Sequence, residues 1–216
     1  NKVFKTEESR DRIRSRYNQI LSVFPFKQLY VETSFGKTFL VEAGALENPA
    51  LILLHGSCSN SAFWFGEMSK LSGMFHVLAV DIVGEAGKRD ENRLDVHSEE
   101  YADWLEEVLK ACCIEKAVVM GNSLGGWMAL RFATKYPDYV EKLVLIAPSG
   151  LSESNADFIK NKTETMDSTV TQGVELPKEV EEFINLILSG YNPILEALPV
   201  FGDEQIKKIK MPVLFV

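Results

Sequence analysis

The residues best suited to chemistry form one run, Gly121-Asn122-Ser123-Leu124-Gly125-Gly126. It lies between the apolar Val118-Val119-Met120 and a stretch of helical character from Trp127 to Tyr136. A serine at the tip of a sharp strand-to-helix turn projects its hydroxyl. The turn strains the backbone, so small residues are needed two positions before and after the serine. Gly121 and Gly125 meet that need, and Gly126 lets the following helix pack closely. A hydroxyl held this way is a candidate nucleophile toward an acyl carbon. From average glycine usage, a chance Gly-x-Ser-x-Gly is expected in roughly one in fifteen chains of this length. What makes this one specific is the strand before it and the helix after it.

A second run, Leu53-Leu54-His55-Gly56-Ser57-Cys58, ends a predicted strand in His-Gly ahead of a loop and a helix carrying Trp64 and Phe65. Acyl transfer needs two backbone N–H donors aimed at the developing oxyanion. One comes from the residue after the nucleophile and one from the loop after the third strand. Leu124 and Ser57 fit those places, with the Cys58 amide the poorer candidate. Cys58 lacks a helix start or a base partner that would lower its pKa, so it reads as a small loop residue at the pocket rather than a thiol nucleophile. Trp64 is a candidate pocket wall, although aromatic pairs at helical spacing usually serve the core.

The elements that must position these groups follow from periodicity. Ile13, Tyr17, Ile20 and Leu21 recur at helical spacing between Glu7 and Phe24, and Pro25 closes that surface helix. Two short runs, 28–33 and 37–42, flank Phe35-Gly36 as a hairpin. From Ala50 on, apolar strands at 50–54, 75–80, 117–120, 143–146 and 212–216 alternate with helices, the pattern of parallel β-α-β units buried on both faces. One crossover helix runs from Ser98, its expected cap, to Cys112. The stretch 151–209 breaks the rhythm, and within it 178–189 reads as a helix. Its stripe of Val180, Phe183, Ile184, Ile187 and Leu188 could face the core or a ligand, with the core the better use. The domain plan is therefore a core over 1–150, an inserted lid over 151–204 and a return to the core over 205–216.

With 216 residues, 46% of them hydrophobic, the chain can bury one substantial core. A net charge of −8 disfavours polyanions, so nucleic acid is not an expected partner. No apolar run approaches the roughly 20 residues that span a bilayer. The charged start of the chain lacks the apolar stretch and small-residue cleavage site of a secretory signal, so it is expected to be mature protein. Three cysteines, two of them adjacent at 112 and 113, point to a reducing cytoplasm.

Taken together, strand-His55-Gly56, the Asp81 turn, the Ser123 run and Val144-Leu145-Ile146-Ala147-Pro148 resemble the α/β-hydrolase superfamily, over about 29–216. The resemblance implies an α/β fold with an eight-stranded, mostly parallel sheet flanked by helices and a helical lid after strand six. It also implies cofactor-free, metal-free hydrolysis of a small-molecule acyl substrate of the carboxylesterase kind. It gives His55 a structural role and disfavours the aspartyl-ester branches, since the elbow carries serine. It places the catalytic acid after strand seven and the catalytic histidine after strand eight, so the sequence reads as stopping after the seventh strand. Neither His76 nor His97 fits the missing base, and Asp81 is expected to organise the loop after it. The loop 81–88 departs from the family's Arg-Gly-x-Gly-x-Ser run. The competing reading is a non-catalytic hydrolase-fold protein that binds a ligand or partner. Substrate identity and oligomeric state are not set by the sequence.

Overall fold

A computed structural model describes residues 2–152 and 177–216. The chain begins with α1 (Glu7–Val23), then the hairpin β1 (Lys27–Thr33) and β2 (Gly36–Ala43). Next come β3 (Ala50–Leu54), a 3-10 turn at Ser61–Trp64, α2 (Phe65–Leu71) and β4 (His76–Val80). They are followed by α3 (Glu100–Ala111), β5 (Ala117–Asn122), α4 (Leu124–Lys135) and β6 (Val140–Ile146). After the undescribed stretch come α5 (Lys178–Gly190), a short α6 (Asp203–Ile206) and β7 (Val213–Phe215).

The described strands form one sheet of seven in the order β1-β2-β4-β3-β5-β6-β7. β2 pairs antiparallel with β1 and β4, and from β4 to β7 the strands are parallel. The eighth strand implied by the resemblance is not among the described residues. Much of the expected lid, 153–176, lies outside them too. The fold is of the α/β-hydrolase type, a mostly parallel sheet flanked by helices.

Both faces of the sheet are covered, which is why its strands read as unbroken apolar runs. Leu40, Ile52, Leu54, Leu78 and Val80 join Trp104, Leu105 and Trp127 on one side. Their chain neighbours Phe39, Val41, Leu51, Leu53 and Ala79 point to the other, against Tyr17, Leu21 and Met68. α1 starts at a capping box in which Thr6 Oγ1 accepts from the Ser9 amide and Ser9 Oγ from the Thr6 amide, each at 3.0 Å. It buries Ile13, Tyr17 and Leu21, so its inner face belongs to the core. The crossover helix α3 starts later than expected, with Glu99 as cap residue. Ser98 Oγ accepts from the Glu100 amide at 3.2 Å and donates to the Asp95 carbonyl at 2.8 Å, closing the turn before the helix instead of capping it.

Asp81, fully buried at the end of β4, joins the front of the molecule to α1. Its Oδ1 accepts from Tyr17 Oη at 3.1 Å, the Ser61 amide at 2.9 Å and Ser61 Oγ at 2.7 Å; its Oδ2 accepts from the Lys88 amide at 2.8 Å. Removing the carboxylate strands these donors away from water at about 1–3 kcal/mol each. Asp81→Ala is therefore expected to destabilise the fold by about 3 kcal/mol or more. The check is the midpoint of urea unfolding.

Candidate active site

β3 sends the chain to β4 on one side, and β5 then lands on its other side. Such a reversal opens a crevice at the carboxyl ends of the strands, where open α/β sheets bind ligands. The two runs singled out above meet at this crevice, because Leu54 pairs with Gly121 in register.

Ser123 follows β5 and precedes α4, with φ 51° and ψ −109°. A non-glycine residue there is strained, and the surroundings hold it in place. The Ser123 amide donates to the Ile146 carbonyl at 3.0 Å. The Ser123 carbonyl accepts from the Trp127 amide at 3.0 Å and the Ser149 amide at 3.2 Å. The flanking glycines are required by contact. A Cβ on Gly121 would lie 2.2 Å from the Gly125 carbonyl oxygen, and one on Gly125 would lie 2.1 Å from that of Leu54. Gly126 is close-packed in the same way, since its Cβ would come 2.8 Å from Pro148 Cβ. The first-turn amides of α4 point their partial positive charge at this end of the sheet.

Ser123 is half-buried and lines a cavity of about 350 Å³. His55, Gly56, Ser57, Cys58 and Trp64 line the same cavity, so the structure brings these sequence-selected residues to one place. Leu124, Gly121 and Gly125 are buried behind it. Ser57 and Leu124 have no hydrogen-bond acceptor for their amides among the described residues. The Cys58 amide is committed, donating to Glu85 Oε2 at 2.7 Å. Cys58 itself is buried at a φ of 55°, its Sγ 3.7 Å from Ser57 Oγ.

The three histidines are engaged elsewhere or exposed. His55 Nε2 accepts from the Ile82 amide at 3.0 Å, which leaves Nδ1 to carry the proton and donate to the Gly56 carbonyl at 2.8 Å. His76 Nε2 pairs with Glu42 Oε1 at 2.7 Å, and His97 is exposed. Burial pushes the His55 pKa below 6.5, against the pull of Asp81 and the Gly56 carbonyl. The folded state thus refuses a proton that the unfolded chain accepts, so stability is whole above pH 6.5 and falls as pH drops below it. His55→Gln is expected to flatten this acid limb, read as Tm against pH from 8 to about 5.

Glu85 is a site residue that sequence reasoning missed. Buried in the loop after β4, it holds the Cys58 amide with one oxygen and accepts from Tyr191 Oη at 2.8 Å with the other. It thereby ties the loop after β3 to the end of α5. Burial and the Glu85 carboxylate push the Tyr191 phenol well up, so it stays a donor. Phe63, Glu67 and Ile184 also line the cavity without having been singled out as its walls. The α5 stripe divides: Phe183 and Ile187 are core, while Ile184 reaches the cavity. Among the described residues no cluster of three or more His, Cys, Asp or Glu side chains could hold a metal ion. None of the described helices is long and apolar enough to cross a membrane.

A family model described as the alpha/beta hydrolase fold matches residues 49–182, and the chain belongs to that family. Within it the chain is similar to the carboxylesterase YbfK of Bacillus subtilis, 30% identical over 99% of this chain and 78% of that one. The crystal structure of carboxylesterase CesB (YbfK) from the same bacterium matches with a TM-score of 0.83 at 28% identity, covering 96% of this chain and 80% of that one. The structure of the Bacillus subtilis naproxen esterase (carboxylesterase NP) matches with a TM-score of 0.83 at 27% identity, covering 98% and 81%.

Proposed function

We propose that the protein is a serine esterase in which Ser123 forms an acyl-enzyme with a carboxylic ester. One observation carries this reading: Ser123 sits at φ 51° on a strand-to-helix turn and borders a cavity, beside two amides without acceptors among the described residues. Ser123 Oγ attacks the ester carbonyl carbon, and the Ser57 and Leu124 amides receive the charge that forms on its oxygen. Collapse of the tetrahedral adduct expels the alcohol, which takes up the proton that Ser123 gave to a general base. Water then hydrolyses the acyl group from Ser123. The segment 151–204 is read as a lid, and Ile184 is its described contribution to the cavity. The carboxylesterase names of the relatives support the reaction class.

A second reading is a ligand-binding role without turnover. Among the described residues His55 and His76 are already hydrogen-bonded to other groups, so neither is set as the general base that Ser123 needs. Without it, only the oxyanion site and binding would help the reaction. The two readings separate in one assay, hydrolysis of p-nitrophenyl acetate by protein expressed from the complete reading frame. An esterase hydrolyses it and loses activity as phenylmethylsulfonyl fluoride occupies Ser123 stoichiometrically. Absence of turnover, or turnover that survives full sulfonylation of Ser123, overturns the esterase reading.

A further inference from the structure

A second cavity, again about 350 Å³, adjoins the one at Ser123 and shares Phe63 and Glu67 with it. It lies between α1, α2 and α5, walled by Ile20, Phe24, Phe65, Val180 and Phe183. The Phe63 ring stands between the two spaces, stacked on Phe183 with centroids 6.0 Å apart and planes 11° apart. Phe65 packs edge-on to Phe24 at 5.1 Å, so that wall is an aromatic assembly rather than a lone ring. The charged residues among the lining, Glu67 and Glu179, are exposed and both acidic. On the Ser123 side, Trp64 is 7% exposed, and its Nε1–H has no hydrogen-bond partner among the described residues.

We propose that this second space is the binding site for the apolar end of the ester, a long aliphatic or aromatic group without a terminal negative charge. The inference rests on Ser123 being the nucleophile, since the carbonyl at Ser123 would direct the rest of the molecule past Phe63. Adjacency across the shared walls Phe63 and Glu67 selects the substrate's own tail as occupant, and the aromatic and aliphatic walls select its chemistry. Two carboxylates at the rim repel an anionic tail. Each methylene taken from water there is worth about fourfold in binding.

Gly66 supplies the test. It lines the second cavity but not the first, and a Cβ on it meets nothing within 4 Å, so a larger side chain is admitted at this wall without a clash at its Cβ. Gly73, whose Cβ is equally unobstructed and which lines neither cavity, serves as control. Gly66→Leu is expected to lower the decanoate-to-acetate ratio of kcat/KM for p-nitrophenyl esters about tenfold, with Gly73→Leu leaving it alone. Decanol binding is measured by calorimetry on Ser123→Ala protein with and without Gly66→Leu, which frees the result from catalysis. Binding weakened about tenfold by Gly66→Leu supports the site even if no ester is turned over, a case in which only the nucleophile reading fails. Equal decanol binding with and without Gly66→Leu, or an unchanged ester ratio in a folded Gly66→Leu protein, overturns it.

Discussion

Ser123→Ala is expected to lower kcat for ester hydrolysis by about 10⁴- to 10⁶-fold, the range found when a serine nucleophile is removed from a preformed acyl-transfer site. The loss should appear almost wholly in kcat. The variant keeps the cavity walls, the Ser57 and Leu124 amides and the α4 amino terminus, so binding is retained while the covalent route is gone. Folding should be unaffected for a specific reason. Alanine carries a Cβ as serine does, so the strain of φ 51° is the same in both, and no bond made by the Ser123 hydroxyl holds the structure among the described residues. Near-ultraviolet circular dichroism and Tm of the two proteins should coincide. A large fall in Tm would mean that the hydroxyl serves structure.

Gly125→Ala is expected to be among the most damaging conservative changes at the described residues. The added Cβ would lie 2.1 Å from the Leu54 carbonyl oxygen, 2.5 Å from its carbon and 2.6 Å from the His55 carbonyl oxygen. All three are backbone atoms at the end of a central strand, so relief demands moving β3 against β4 and β5. The cost is expected to be about 4 kcal/mol or more, in the class of severe core overpacking. Gly56→Ala makes the contrast, since its Cβ would meet Asn122 Nδ2 at 3.4 Å, an ordinary contact. That change should cost under about 1 kcal/mol, as for a substitution that forces no rearrangement. Urea midpoints at constant m resolve the two.

Gly125 and its counterpart Gly121 also show why the site was legible in the sequence. The elbow is a local steric device whose requirement for small residues is written at fixed spacing around Ser123. The strand ends that carry it are apolar runs covered on both faces. The sequence placed the 50–54 strand at the ends observed and the 75–80 strand within one residue, and the crevice follows from their order.

What was not legible depends on distant partners. Glu85 lies 27 residues from Cys58 and 106 from Tyr191, and no spacing rule joins them; the only hint was a loop 81–88 that departs from the family run. Tyr17 reads as one more position on an amphipathic helix until Asp81, 64 residues on, gives its hydroxyl a buried acceptor. The α5 stripe offered one face for two uses. Only its packing against α1 assigns Phe183 to the core and leaves Ile184 at the cavity. Ser98 misled as a cap because its hydroxyl is spent one residue early, in the turn that precedes α3.

The nucleophile is tested most directly by acid-quenching the protein milliseconds after mixing with a p-nitrophenyl ester and locating the acyl mass by peptide mass spectrometry. The acyl group is expected on the peptide that contains Ser123, formed with a burst of nitrophenol equal to the enzyme present. A burst with the acyl group on Cys58, or turnover with no adduct at Ser123, would contradict it.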